Sequence, residues 1–326
     1  MHIRRGYLGW GVFLILTGAV PLLVRSGYLS ADQVDRLWTL WPLILIGLGV
    51  GLILSRTRFD FIGGLVVAAT FGLMLGGLLS QGIDTFSTGA CGSEGATAFA
   101  AKDGTFGGST ATVDLELDCG TAAVTVGAGT AWHLEGSDED GVGPVVESDD
   151  VSLSVTSPDR GGGPFFDFGK GDAWRLTLPG ETRLDLDVTL NAGTTTLDLA
   201  GASIGTARLT LNAGTATVDL TELREIEGIE YTLNAGAIGL TLPNTSMTGS
   251  IRANAGAVRL CAPGGVALRL HTGEGVIAAY DYGDQGLVQD GSTWTTPGFD
   301  TASIQIDLRT EANAGSFTLN PDDGCD

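Results

Sequence analysis

Histidine is scarce in this chain of 326 residues: only His2, His133 and His271 occur. None of them has the Cys, His or Asp spacing of a zinc site, so we expect no metal centre. The sequence also lacks a Gly-x-Ser-x-Gly motif, a phosphate-binding loop and a dinucleotide fingerprint. These absences argue against an enzyme, and we predict no catalytic residue and no cofactor.

Positive charge is scarce beyond residue 80. Residues 1–80 hold six Arg and three acidic residues, whereas residues 81–326 hold 11 basic and 35 acidic residues, a net charge of −24. Such an acidic surface repels the nucleic-acid backbone, so we expect no nucleic-acid partner. Acidic clusters at 138–140, 147–150 and 322–323 leave weak Ca²⁺ binding open, although an acidic chain is expected to contain such clusters by chance.

A helical hydrophobic period is absent from the C-terminal part of the chain, where apolar and polar residues alternate as in half-buried strands. Asn-Ala-Gly occurs five times there, and four copies follow at steps of 21, 22 and 20 residues. A constant period of about 20 residues indicates a repeat architecture. We predict an all-β repeat domain, a β-solenoid with rungs of about 20 residues. Residues 115–126 fit the same template, and degenerate rungs are expected near 271–273 and 290–291.

The parity of the apolar positions assigns a structural role to the tripeptide. Counted from Asn191, apolar residues stand one and three positions before it (Leu190, Val188) and six and eight positions after it (Leu197, Leu199). Both halves can face one core only if an extra residue is inserted at the junction. Glycine reaches positive φ freely and asparagine is the next most tolerant residue, so the tripeptide suits a corner or bulge.

Stacked rungs would align the asparagine side chains of these corners as an amide ladder. The predicted corner residues are Asn191, Gly193, Asn212, Gly214, Asn234, Gly236, Asn254, Gly256, Asn313 and Gly315.

Three apolar stretches occupy the N-terminal 80 residues. A membrane-spanning helix needs roughly 17 to 25 mostly apolar residues. We therefore predict a transmembrane domain of three helices, at about 7–24, 37–54 and 61–79. Arginines favour a cytoplasmic N-terminus, because four precede the first helix or follow the second, against two in the intervening loop. The β domain would then be extracytoplasmic.

All four cysteines lie beyond the third predicted span, where oxidation is possible. An even number permits two disulfides in three connectivities. Proximity in sequence favours Cys91 with Cys119 and Cys261 with Cys325.

The chain is predicted to have three parts: a transmembrane domain at 1–80, a Gly/Ser/Thr-rich linker with a first strand at 81–112, and the β-repeat domain at 113–326. Two Gly-rich insertions, 136–143 and 158–171, are predicted to be loops. The second contains Phe165, Phe166 and Phe168, which we expect to cap an open end of the stack.

Both halves resemble known families. GYLGWGVFLILTGAVPLL, LWTLWPLILIGLGVGLIL and the third span, with Trp41-Pro42, resemble the membrane region of LiaF/LiaI-like envelope proteins. Leu-Pro-Gly and the repeated Leu-x-Leu-Asn-Ala-Gly strands resemble the toast-rack domain, also described as DUF4097-like or adhesin-like. The resemblance implies a membrane-anchored protein of envelope-stress sensing that in some members restrains a sensor histidine kinase. The β domain of those regulatory members can be cytoplasmic, whereas the cysteines here favour the outside.

The leading hypothesis is therefore a non-enzymatic sensor or regulator of envelope stress, with the lipid bilayer and a membrane sensor kinase or an envelope component as partners. The alternative is a surface adhesive or structural module for which the spans are only an anchor. An enzyme acting on envelope glycans ranks third. It would use outward carboxylates such as those of Asp185, Asp187, Asp198 and Asp219, whose alternation with core residues favours a solubilising role.

Overall fold

The computed structural model describes residues 13–15, 66, 68–70, 91, 96–158, 171–273, 275, 277–322 and 324. The chain divides into two compact units, Met1–Phe86 and Ser87–Asp326. The described residues of the first unit, at 13–15, 66 and 68–70, are helical.

The predicted fold class is wrong in its membrane part. It placed spanning helices at about 7–24, 37–54 and 61–79, but among the residues described no helix is long and apolar enough to cross a membrane. Most of the residues assigned to those spans lie outside the described part of the chain. Hydropathy reports the preference of a segment for apolar surroundings, and it does not by itself set the length of a continuous helix.

The described part of the second unit contains 18 strands. The first seven are β1 (Thr97–Ala98), β2 (Lys102–Thr105), β3 (Thr110–Gly127), β4 (Ala131–Asp138), β5 (Val145–Ser148), β6 (Ser152–Thr156) and β7 (Asp172–Pro179). The next six are β8 (Arg183–Asp198), β9 (Ser203–Leu211), β10 (Gly214–Asp219), β11 (Glu225–Leu233), β12 (Gly236–Thr241) and β13 (Met247–Cys261). The last five are β14 (Ala267–Thr272), β15 (Ile277–Asp281), β16 (Val288–Asp290), β17 (Thr293–Thr295) and β18 (Gln305–Leu319), with 3₁₀ turns at Gly283–Gln285 and Phe299–Thr301.

These strands form rungs, each with one segment before a corner and one after it. β3, β8, β13 and β18 run through their corners, whereas β9 and β10, like β11 and β12, are separate strands on the two sides of a corner. Neighbouring rungs pair in parallel, with Gly193 opposite Gly214, Gly214 opposite Gly236, and Gly236 opposite Gly256. We call the segments before the corners the first wall and the segments after them the second wall.

Both walls turn their apolar side chains to one core. In β8, the buried residues nearest the corner are Val188 and Leu190 before it and Thr195 and Leu197 after it. The inward positions therefore change from even to odd numbers across the corner, which is the parity change that the sequence pattern required.

In successive rungs, similar apolar residues stack on one another. One inward row of the second wall has a single register and is at most 1% exposed: Leu197, Val218, Leu240, Leu260 and Leu319. Each such burial is worth roughly 1.5–3 kcal/mol relative to exposure.

The corners require glycine for two independent reasons. Gly193, Gly214 and Gly236 have φ of +130°, +134° and +126°, a region that side chains with a Cβ rarely adopt. A Cβ at any of these glycines would also overlap the carbonyl oxygen of the corner glycine in the preceding rung. Each corner glycine thus allows both the turn of its own rung and the close approach of its neighbour.

The order of the rungs in space differs from their order in sequence at both ends. The rung of β6 and β7 lies outside that of β3, so β3 stands between it and β8. Likewise β18 stands between β13 and the rung of β14 and β15. The rung expected near 271–273 is therefore β14 with β15, whereas Asp290-Gly291, expected in another rung, lies at the turn between β16 and β17.

Antiparallel strands and aromatic side chains close the ends of the stack. β4 pairs with β7 at one end, where Trp132 and Trp174 are 2% and 3% exposed. β17 pairs with β14 at the other end, where Trp294 meets Tyr282 edge to face at 6.1 Å. The aromatic residues expected as a cap, Phe165, Phe166 and Phe168, lie outside the described residues.

We predict that Gly214→Ala lowers the free energy of unfolding by more than about 3 kcal/mol, because alanine disfavours this φ and its Cβ has no space. Urea titration measures the change. The control is Gly264→Ala, at an exposed turn with no heavy atom within 4 Å of the added Cβ, where we expect a change below about 0.5 kcal/mol. Small effects in both variants would contradict the role given to the corner.

Candidate functional site

The asparagines of the repeat lie one above another along the corners. The Nδ2 group of each donates a hydrogen bond to Oδ1 of the asparagine in the preceding rung. The distances are 2.6 Å from Asn212 to Asn191, 2.6 Å from Asn234 to Asn212, 2.6 Å from Asn254 to Asn234 and 2.7 Å from Asn313 to Asn254. Gly315 pairs in register with Gly256 and completes the glycine column beside them. The structure thus brings all ten predicted corner residues together along one edge.

The ladder begins at Asp118, a residue that the sequence analysis missed. Asn191 donates from Nδ2 to Asp118 Oδ1 at 2.8 Å, and Asp-Cys-Gly at 118–120 takes the place of Asn-Ala-Gly in its rung. The first member only has to accept a hydrogen bond, so a carboxylate serves there, whereas each inner member both donates and accepts. The signal is present in LELDCGTAAVTV, whose aspartate occupies the asparagine position of the template.

A buried polar cluster supports the first corner. Ser157 Oγ accepts the backbone N–H of Asp118 at 3.1 Å and donates to Asp172 Oδ2 at 3.1 Å. Asp172 is 1% exposed and its backbone pairs with Gly120. Because a buried carboxylate must recover the hydrogen bonds that it loses from water, Ser157 fixes Asp172 beside the start of the ladder.

A disulfide joins the N-terminal part of the second unit to this same corner. Cys91 is bonded to Cys119, with a Cα–Cα distance of 5.2 Å, and Cys119 occupies the alanine position of the first tripeptide. Cys91 is 3% exposed. Cys261, at the end of β13, is also disulfide-bonded. Its predicted partner, Cys325, lies outside the described residues.

The outward face of the first wall carries ion pairs that connect neighbouring or next-neighbouring rungs. The pairs are Arg183 with Glu225 at 2.6 Å, Arg208 with Glu230 at 3.1 Å, and Arg252 with Glu311 at 3.0 Å. Exposed pairs of this kind contribute about 0–1 kcal/mol each, so they keep the wall soluble more than they hold it together. The second wall differs, because its outward positions are mostly Thr, Ala, Ser and Gly, with Thr194 Oγ1 3.2 Å from Thr215 Oγ1.

A shallow groove of about 570 Å³ crosses the first wall. The small residues Gly228, Thr248 and Ser250 line its floor, and Glu230 and Arg309 lie among its lining residues. The lining of the groove therefore carries both signs of charge.

The outward aspartates considered as carboxylates for chemistry have structural partners. Asp198 and Asp219 each accept the backbone N–H two residues further on, at 3.2 and 2.8 Å, and so close the turn after the second wall. Asp185 accepts the N–H of Thr206 at 2.9 Å, where the register between β8 and β9 shifts. Asp198 and Asp219 lie opposite each other at the end of the second wall, whereas Asp185 lies in the first wall, so the three carboxylates do not converge on one point.

Asp187 lies opposite Asp114 on the neighbouring strand. Partial desolvation, and then the negative charge of Asp187, raise the pKa of Asp114 above its ordinary value. Asp114 therefore keeps its proton to a higher pH than a free aspartate.

Two of the acidic clusters weighed for Ca²⁺, 138–140 and 147–150, make hydrogen bonds within their own loops, and Asp323 of the third cluster lies outside the described residues. Asp138 is 1% exposed, and its carboxylate accepts the backbone N–H groups of Gly141 and, at 2.8 Å, Gly143. Asp149 accepts the N–H of Val151 at 2.9 Å, and this bond is the main cause that lowers the pKa of Asp149. Within the described ranges, no group of three or more His, Cys, Asp or Glu residues is arranged to hold a metal ion.

His133 links three strands in an exposed charge cluster. Its Nδ1 contacts the carboxylate of Asp103 on β2, and its Nε2 is 3.6 Å from Glu135 Oε2 on β4. Glu135 Oε1 accepts a hydrogen bond from Arg175 on β7. The bond to Asp103 is the main cause that raises the pKa of His133, and the bond from Arg175 is the main cause that lowers the pKa of Glu135.

Comparison with protein families identifies both parts of the chain. Residues 95–242 match the N-terminal domain of toast_rack, DUF2154, and residues 9–86 match the LiaF transmembrane domain. The resemblance seen in the sequence is thus confirmed: the chain joins a LiaF-type transmembrane domain to a toast-rack domain. It is a membrane-associated envelope protein.

Two solved structures are similar to this chain. One is a candidate cell adhesion protein from Clostridium sporogenes ATCC 15579, 12% identical over 68% of this chain and 98% of that chain, with a TM-score of 0.45. The other is a candidate adhesin from Bacteroides fragilis NCTC 9343, 11% identical over 68% of this chain and 97% of that chain, with a TM-score of 0.29. No curated protein matches the chain. At these TM-scores neither structure bears on function.

The direction of the hydrogen bonds in the ladder predicts that interchanging asparagine and aspartate has different effects on stability at two positions. Asn212→Asp removes the donor to Asn191 and sets a carboxylate against its oxygen, so we expect a loss of about 1–3 kcal/mol in the free energy of unfolding. Asp118→Asn keeps the acceptor for Asn191 and removes only its charge, so we expect a loss below about 1 kcal/mol. Urea titration of both variants is the measurement. Equal losses would contradict the assigned direction of the hydrogen bonds.

The raised pKa of His133 predicts a pH dependence of stability. Protonated His133 binds Asp103, so its contribution is fully present below the unfolded pKa of about 6.5 and is lost as pH rises through the folded pKa. NMR titration of the His133 ring should show a pKa above 6.5 that falls in Asp103→Asn. In the control Asp300→Asn, which alters a pair with Arg269, it should stay unchanged. An Asp103→Asn variant with an unaltered His133 titration would refute the assignment.

Proposed function

We propose that this protein is a non-enzymatic sensor or regulator of cell-envelope stress whose toast-rack domain is extracytoplasmic. Its walls would contact an envelope component, and its membrane part would contact a membrane sensor kinase. The family match to a LiaF-type domain followed by a toast-rack domain supports the pairing of these roles. A cytoplasmic N-terminus stays a prediction from the arginine distribution.

The observation that carries this proposal is the disulfide near the start of the toast-rack domain, which we call the rack. The first unit ends at Phe86, and Cys91 is already fixed to Cys119 at the first corner. Four residues of the sequence separate Phe86 from Cys91. A change at the membrane would therefore be passed to a fixed point of the rack, which suits a regulator more than a passive anchor.

Two further features support this proposal. Disulfides persist in oxidising compartments, and the bond at the first corner supports an extracytoplasmic rack. The hydrogen-bonded ladder runs from Asp118 to Asn313 along one edge of the toast-rack domain. Outward residues of the two walls are engaged in ion pairs and turns. Such a surface suits recognition of a partner by a preformed scaffold.

We predict that a flexible insertion of about 20 Gly and Ser residues between Phe86 and Cys91 lowers the transcriptional response to cell-wall-active compounds, because it separates the rack from the membrane part. The measurement is a reporter of that response in a deletion strain carrying each variant. The control is the same insertion between Gly264 and Gly265, in an exposed turn, which should retain the wild-type response.

The outcomes separate the two candidate functions. A deletion strain with a wild-type response would contradict a role in stress sensing. If the two insertion variants rescue the deletion phenotype equally, the result would favour the adhesive or structural module, for which the membrane part is only an anchor.

A further inference from the structure

One asparagine of the chain stands apart from the repeat. Five of the seven asparagines begin Asn-Ala-Gly and belong to the ladder, and Asn320 is followed by Pro321. Asn244 instead begins Asn244-Thr245-Ser246, and no other Asn-x-Ser or Asn-x-Thr triplet occurs in the sequence. Such a triplet, with any residue except proline in the middle, is the acceptor sequence for attachment of a glycan to the asparagine amide.

The triplet lies in an exposed turn between β12 and β13. Pro243, just before it, is buried, whereas Asn244 and Ser246 are exposed and Thr245 is half-buried. A glycan is bulky and hydrated, so it can be attached only to an asparagine side chain that faces solvent. Asn244 meets this condition.

The hydrogen bonds of the two exposed side chains leave the reacting groups available. Asn244 Nδ2 donates to the backbone oxygen of Thr221 at 3.3 Å. Because an amide nitrogen carries two hydrogens, the second can be replaced by a sugar while this bond is kept. Ser246 Oγ accepts the backbone N–H of Gln305 at 2.9 Å, so its own O–H can still be donated to an enzyme that recognises the triplet.

The disulfide supports the same interpretation from another part of the domain. The bond between Cys91 and Cys119 persists in oxidising surroundings, and N-linked glycans occur on surface loops of secreted proteins. The inference therefore rests on the extracytoplasmic rack of the proposed function.

We propose that Asn244 is a glycosylation site, which accepts an oligosaccharide carried on a lipid phosphate. Nδ2 forms a bond to the anomeric carbon of the sugar and gives one proton to a base of the transferase. The bond between that carbon and the phosphate oxygen breaks, and the lipid phosphate leaves with the electron pair. The glycan is then attached at the edge opposite the corners, where the second wall of one rung leads into the first wall of the next.

Mass spectrometry of the full-length protein, purified from membranes of its native host, tests the proposal. Trypsin cleaves after Arg224 and Arg252, and the peptide 225–252 contains both Asn244 and the ladder residue Asn234. We expect this peptide to carry the mass of a glycan, which fragmentation should localise to Asn244. Asn234 is the internal control, because Asn-Ala-Gly lacks the hydroxyl group. A peptide 225–252 of unmodified mass would overturn the proposal.

Variants of the turn test its dependence on the triplet. Asn244→Gln and Ser246→Ala should each abolish the added mass. Ser246→Thr, which keeps the hydroxyl group, is the matched control and should retain the added mass. Modification that persists in Ser246→Ala would contradict recognition of the triplet.

Labelling in intact cells separates this inference from the proposed function. Asn244→Cys should react with a membrane-impermeant maleimide if the turn is extracytoplasmic. Labelling of this variant, combined with an unmodified peptide 225–252 in the wild type, would overturn the glycan alone. Labelling only after lysis would contradict the extracytoplasmic rack as well.

Discussion

The structure depends on a single backbone constraint, the turn of each rung at a glycine with positive φ. A strand can change direction and still face the same core only if the alternation of its side chains is shifted by one residue. The corner glycines supply that shift, with φ between +126° and +144° from Gly120 to Gly256. They also lie so close in neighbouring rungs that any side chain would meet the backbone next to it.

The other regular features follow from this constraint. Because the glycines are in register, the residues before and after them are in register too, and the asparagines form one line of hydrogen bonds. The inward rows stack leucine and valine on like residues in a continuous core. The ladder begins at Asp118, which only accepts a hydrogen bond, so the ladder has a direction. The disulfide between Cys119 and Cys91 connects this first corner to the N-terminal part of the second unit.

Much of the rack could be predicted from sequence, because a repeat shows its own register. The interval between Asn191 and Asn212 predicted the rung, and the parity change predicted the corner. The insertion of β18 between β13 and β14 could not be predicted, since strand order in space depends on pairing between distant segments and not on a local pattern. Asp290-Gly291 has the composition of a corner but lies in a hairpin turn. The hydrophobic stretches before residue 80 predicted spanning helices, and the described residues contain no helix of that length.

The partners of polar residues were the least predictable. Asp198 has the same alternating neighbours as any outward aspartate, but its carboxylate closes a turn. His133 gave no spacing signal because Asp103 reaches it from a strand 30 residues away. Such contacts depend on which strands the fold brings together.

The most direct measurement of the central claim is hydrogen exchange of the asparagine side-chain amides by NMR. Each ladder Nδ2 group donates within 2.6–2.8 Å to an oxygen in the preceding rung, whereas exposed Asn244 donates to a backbone oxygen at 3.3 Å. The account predicts that Asn212 and Asn234 exchange their side-chain amide protons much more slowly than Asn244. Exchange of all three at the same fast rate would contradict a stack held in register at its corners.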